Sequence, residues 1–274
     1  MTFARTGLAP LFVGAVGVLG LLVGSFLTVV VHRVPAGRSI VRPRSACPSC
    51  GSPIRPRDNI PIVSWLLLRG RCRDCSAAVS SRYPRVEAAT GLLFAMLATA
   101  RGFSAVLPAL LYAAAAGVAL VLIDMSHHRL PDVIVLPSYL ALAALLALAG
   151  CLTGDFPLAR TALSGGVWLG VYGLIWLTTL GRGMGLGDVK VSGLLGLLLG
   201  WLGWGPSLVG LFAGFVVGSA VGVVLLASGR AGRRTKIAHG PFMFAGAAVA
   251  VFAGEPLSHV WLALSCPLPT GCVS

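Results

Sequence analysis

Asp124 and Asp188 stand at the ends of long uncharged apolar runs, in a chain with only eight Asp and Glu among 274 residues. An ionisable group at membrane depth is costly, and those that occur mark proton, ion or catalytic pathways. Two carboxylates in a dry setting are also the minimum equipment for acid–base hydrolysis. One takes a proton from water while the other delivers a proton to the scissile carbonyl. The pair therefore points to hydrolysis at the edge of a bilayer.

The local strings separate these two acids from their neighbours. The first reads Leu122-Ile-Asp124-Met-Ser-His-His-Arg-Leu-Pro-Asp132. Asp132 follows Pro131, the ordinary chemistry of a helix start, and needs no further role. Asp124 closes a helical run and faces the negative end of the dipole, so that account does not suit it. The second string reads Gly183-Met-Gly-Leu-Gly-Asp188-Val-Lys190. It is no nucleotide-binding loop, because no strand precedes it. Asp188 reads either as a helix cap or as the second acid. As a dyad the two would share one proton, with Asp124 protonated and Asp188 ionised beside Lys190 and a helix N-terminus. His127 and His128 read as interfacial polar residues. His32, His239 and His259 have no second ligand nearby in sequence and receive no role.

A second cluster is built of sulfur. Cys47-Pro-Ser-Cys50 and Cys72-Arg-Asp-Cys75 are two C-x2-C pairs separated by 21 residues. Four thiolates at this spacing close a tetrahedral zinc site, leaving no coordination position for a catalytic water. A redox dithiol pair and fortuitous spacing are the alternatives. The surrounding polar block of roughly fifty residues has few apolar side chains and needs such a staple. Cys151 reads as a buried small hydrophobe. Cys266 and Cys272 lie in a tail expected outside the cell, where a disulfide is chemically permitted.

The elements that must position these groups are membrane helices. Hydrophobic residues make up 57% of the chain and charged residues 11%, a composition that excludes an ordinary soluble enzyme. Apolar stretches mark about eight spans, near 8–31, 86–103, 105–124, 132–152, 162–180, 189–204, 206–228 and 241–264. The second is the weakest, because only 13 residues separate Glu87 from Arg101. The first reads as a permanent anchor instead of a cleaved signal. The expected fold is thus an all-α polytopic membrane protein with a small cytoplasmic zinc-binding lobe. Its parts are a first helix at 1–31, the tetracysteine lobe at 32–85 and a helical bundle at 86–274. Within the lobe, the apolar segment 60–68 is too short to span and reads as a strand, a core segment or an interfacial piece. Gly-x-x-x-Gly at 20–24 and 196–200 suits close helix packing.

The net charge of +13 follows the same topology. With eight spans, eighteen of the 21 Lys and Arg fall on one side, and Arg5, Arg101 and Arg160 on the other. The basic side is therefore cytoplasmic, in contact with anionic lipid headgroups, and no nucleic-acid partner is required. Asp124 and Asp188 both fall at cytoplasmic ends of spans, at similar depth, where they can meet.

Taken together, the ordered motifs resemble those of the type IV prepilin peptidases, the bifunctional leader peptidase/N-methyltransferases of bacterial inner membranes. Gly24-Ser-Phe-Leu-Thr-Val-Val-Val-His-Arg-Val-Pro35 resembles the family's opening motif. Cys47 to Cys75, with Asn59-Ile-Pro-Ile-Val-Ser-Trp65 between the pairs, resembles its tetracysteine lobe, and Ser81-Arg-Tyr-Pro-Arg-Val-Glu87 the start of its second span. Asp124 and the Gly-x-Gly-Asp188 string match the family's two catalytic aspartates. The resemblance implies cleavage of prepilin or pseudopilin leaders on the cytoplasmic side, typically after a Gly that precedes Phe. It further implies methylation of the new N-terminus from S-adenosylmethionine. Two departures stand out: Thr28 replaces the usual Asn, and Ile237-Ala-His-Gly-Pro-Phe242 is less apolar than the family's approach to Gly-Pro-Phe. Two alternatives stay open, a peptidase without methyl transfer and a non-catalytic scaffold or carrier whose aspartates conduct protons.

Overall fold

The computed structural model describes residues 8–182, 184–229 and 238–265, with side chains to Ser258. Its contacts divide the chain into two compact units between Leu122 and Ile123.

In the first unit, α1 (Ala9–Arg33) packs along α3 (Arg82–Arg101), followed by the greater part of α4 (Leu107–His127), whose last turn, with Asp124, belongs to the second unit. The α1–α3 approach is set by glycine. A Cβ at Gly20 would lie 2.8 Å from Gly91 Cα, and one at Gly24 would lie 2.8 Å from Glu87 Cα. The Gly20–Gly24 spacing thus does the packing work expected of it, by letting two backbones come together.

Between α1 and α3 lies the lobe. Its apolar segment forms a short helix, α2 (Val63–Leu67), with Leu66 and Leu67 exposed. That outcome removes the strand reading, and the exposed leucines do not suit a core segment. Glu87 on α3 is buried and accepts the Ile62 N–H at 2.7 Å. Ile62 has φ +62°, an outlier for a β-branched residue, so this bond holds a strained junction between lobe and helix. Trp65 donates through Nε1 to the Val79 carbonyl at 3.1 Å. Its ring lies over Gly70, where a Cβ would come within 2.8 Å of the indole.

The second unit contains α5 (Asp132–Thr153), α6 (Leu158–Thr178), α7 (Leu186–Leu202), α8 (Trp204–Ala227) and α9 (Gly240–Ser265). At its centre is α7, packed against α5, α6, α8 and α9. Gly196 and Gly200 lie against Trp168 and Ser164 of α6, the second glycine pair marked by the sequence. Ser164 Oγ donates to the Gly196 carbonyl at 2.7 Å, and Trp168 Nε1 donates to Ser207 Oγ at 3.1 Å. Arg160 satisfies the free C-terminal carbonyls of α7, donating to Gly200 and Trp201 at 2.8 Å each.

Eight long helices therefore occupy the eight expected stretches among the described residues. Six are long and apolar enough to cross a membrane, which makes this a multi-pass membrane protein. The other two, α3 and α7, fall short for separate reasons. Charged Arg82, Arg85, Glu87 and Arg101 dilute α3, while α7 is 17 residues long and largely enclosed by its neighbours. Cys151 departs from expectation: it is exposed on the last turns of α5, since the buried face there is carried by Leu146, Ala149 and Gly150. Cys266 and Cys272 lie outside the described residues.

Candidate functional site and family

Asp124 lies on the last turn of α4 and is 5% exposed; Asp188 lies on the first turn of α7 and is 8% exposed. They are close enough for their charges to interact. Each carboxylate accepts one main-chain donor through its Oδ2. Gly240 N–H donates to Asp124 at 3.0 Å, and Gly185 N–H donates to Asp188 at 3.0 Å. The second bond is the cap geometry foreseen for Asp188, which reaches back over the α7 N-terminus. Capping uses one oxygen and leaves the other, so the cap and the second-acid readings are compatible.

Glycine makes the first approach possible. A Cβ at Gly240 would sit 2.8 Å from Asp124 Oδ2, whereas one at Gly185 would stay at an ordinary 3.5 Å from Asp188 Oδ2. The start of α9 is thereby drawn against Asp124. Gly187 on the first turn of α7 lets Leu130 pack close, since a Cβ at 187 would lie 2.9 Å from Leu130 Cβ.

Lys190 does not do what the sequence suggested. Its ammonium contacts both oxygens of Asp132 at 2.8 Å, tying the first turns of α5 and α7 together. The reason is register: Lys190 is two residues past Asp188 and points to a different side of the helix. Tyr139 Oη on α5 also donates to the Lys190 carbonyl, at 2.5 Å. His127 and His128 are exposed, as expected of interfacial residues.

His239 was missed. It directly precedes Gly240, and its ring lies 5.8 Å from that of Tyr172 and 6.0 Å from that of Phe242. Tyr172 is fully buried on α6, within electrostatic reach of Asp188. Neither Tyr172 Oη nor His239 Nε2 has a hydrogen-bond partner among the described residues. No spacing rule flags residues brought together from α6 and the start of α9; the only sequence trace was the polar His in an otherwise apolar approach to Gly-Pro-Phe.

In the lobe, the sulfur atoms of Cys47, Cys50, Cys72 and Cys75 all lie within 4.8 Å of one another. Cys47 Sγ and Cys75 Sγ are 3.8 Å apart. A tetrahedron with metal–sulfur bonds of about 2.3 Å has an edge of about 3.8 Å, so four thiolates fit one metal ion. Each pair sits on a matching knuckle. Cys47 N–H donates to Ser52 O and Gly51 N–H to Cys47 O, repeated as Cys72 to Ala77 and Ser76 to Cys72, all at 2.8–2.9 Å. Backbone N–H groups of Cys50 and Ser49 aimed at the Cys47 sulfur lower its thiol to about 6, favouring the thiolate that ligates metal. Arg73 grips Asp58 at 2.6 Å and holds that carboxyl below the usual range, tying the second knuckle to the short turn at Pro56–Asp58.

The comparisons agree with this architecture. Residues 18–101 match the bacterial peptidase A24 N-terminal domain, and residues 111–223 match the type IV leader peptidase family. A prepilin leader peptidase/N-methyltransferase from Pseudomonas aeruginosa is 37% identical over 89% of this chain and 91% of its own length. The protein of that name from Stutzerimonas stutzeri is 36% identical over 89% of this chain and 92% of its length. The one from Myxococcus xanthus is 40% identical over 83% of this chain and 67% of its length. No solved structure matches the chain. With both of its parts matched in order and full-length relatives at this identity, the chain belongs to the type IV leader peptidase family.

Proposed function

We propose that this protein is a membrane aspartic endopeptidase that removes the leader peptides of type IV prepilin-like proteins and then methylates the new N-terminus. The observation that carries the peptidase reading is the pair of buried carboxylates, Asp124 and Asp188, each fixed by a main-chain donor, from Gly240 and Gly185 respectively. Family membership supports the substrate class.

The chemistry requires one shared proton. Asp188, near the positive N-terminus of α7, serves as the base, and Asp124, at the negative end of α4, serves as the acid. Asp188 takes a proton from water as its oxygen attacks the scissile carbonyl carbon, while Asp124 protonates the carbonyl oxygen. The tetrahedral intermediate then collapses: Asp188 gives the proton it took from water to the departing amine, Asp124 takes back a hydroxyl proton as the carbonyl re-forms, and the C–N bond breaks. For methylation, the freed amine attacks the methyl group of S-adenosylmethionine, a co-substrate to which we assign no residues, releasing the thioether and a proton.

The lobe is proposed to face the cytoplasm, because the positive-inside rule places its eleven arginines there. The inner membrane is the setting this implies. Cys47, Cys50, Cys72 and Cys75 would hold a zinc ion that staples the lobe, with all four positions filled by protein and none left for substrate.

The test is mass spectrometry of a prepilin precursor incubated with purified protein and S-adenosylmethionine. The expected products are the leader and a mature chain heavier by one methyl group. A mature chain without the methyl would leave a peptidase alone; an uncut precursor would defeat the proposal.

A further inference from the structure

Hydrolysis near a bilayer needs an unwound substrate. A helical peptide satisfies its own amides, but a segment opened for attack exposes N–H and C=O groups that a dry site must satisfy instead. The two acids are committed to chemistry, so other polar groups must hold that segment.

Two such groups are present. Among the described residues Tyr172 Oη and His239 Nε2 are buried without hydrogen-bond partners, a rare and costly condition in a native interior. They are neighbours, with ring centroids 5.8 Å apart, and they link the acids. His239 adjoins the residue whose N–H binds Asp124, and Tyr172 lies within reach of the Asp188 charge. Their rings are fixed from the sides: Tyr172 stacks on Trp168 at 6.1 Å and Phe215 at 5.1 Å, and His239 meets Phe215 at 5.8 Å. The tyrosine hydroxyl faces Gly214, where an added Cβ would be in ordinary contact with it at 3.7 Å. Orientation is thus set by packing, and among the described residues the two polar tips are left unpaired.

We propose that Tyr172 Oη and His239 Nε2 bind the main chain of the extended substrate segment presented to Asp124 and Asp188. The proposal rests on the aspartyl reading above. The tyrosine O–H donates to a substrate carbonyl, and the imidazole pairs with a neighbouring amide. Both act on binding and neither transfers a proton.

Steady-state cleavage of a prepilin precursor by the full-length protein in detergent, with thermal unfolding of each variant alongside, tests this. Y172F and H239F keep the rings and remove the polar tips. Each is expected to lower kcat/KM about tenfold, mostly through KM, while unfolding at the same temperature or higher because an unsatisfied polar group is gone. H239Q, which restores an N–H at a similar reach, is expected to recover most of the loss. Unmodified kcat/KM in both Phe variants would overturn the proposal, as would stability falling together with activity, which marks a packing role. D124N separates the layers. If D124N is inactive while the Phe variants are normal, only this inference falls; if D124N is active, the aspartyl reading falls with it.

Discussion

Gly240 donates its main-chain N–H to Asp124 Oδ2 at 3.0 Å, joining the start of α9 to the end of α4 across 116 residues. The bond needs a residue without a side chain, because a Cβ at 240 would press to 2.8 Å from the same oxygen. It orients one acid of the pair, while Gly185 orients the other in the same way.

Gly240→Ala should therefore reduce precursor cleavage by about tenfold or more, since misplacing a reacting group by a fraction of an ångström is costly. Alanine is a good helix former, so the unfolding temperature should change little. Initial cleavage rates and thermal melts on the same preparation check both halves. Cleavage at the unmodified rate would show that the Gly240–Asp124 approach does not matter to the chemistry.

Much of this arrangement was legible in the sequence because it depends on local rules. Apolar length located the eight long helices among the described residues, and glycine spacing marked close-packing faces on α1 and α7 without naming their partners, α3 and α6. Two C-x2-C pairs located four sulfurs that the lobe does bring together. The failures are tertiary. Lys190 was matched to the nearest acid in sequence, whereas helix geometry sends its long side chain to Asp132, 58 residues away. Cys151 was judged buried from composition, but which face of α5 turns inward depends on packing partners that periodicity in an all-apolar helix does not reveal. His239 had no ligand nearby along the chain; its neighbours come from α6 and α8.

The ion pair of Lys190 with Asp132 is half exposed and should contribute under about 1 kcal/mol. Lys190→Gln should leave cleavage within about twofold of the unmodified rate. A loss of a hundredfold would instead mean that the ammonium acts on the acids directly, as the sequence alone had suggested.

The lobe should depend on its metal. Purified protein should contain about one zinc per chain, falling well below that in Cys72→Ser. The same variant should be nicked faster by protease between residues 32 and 85, where few apolar side chains are available to hold the fold. Full zinc retention in Cys72→Ser would remove that residue from the ligand set.

The central claim is that Asp124 and Asp188 act as one unit, and cleavage by Asp124→Asn and Asp188→Asn tests it most directly. Asparagine keeps size and hydrogen bonding but cannot exchange a proton. Each single variant should lower the cleavage rate by at least about a thousandfold, and the double variant should be hardly worse than either, because members of a catalytic unit are not additive. Either single variant cleaving a prepilin precursor at the unmodified rate, with its fold intact, would contradict the account.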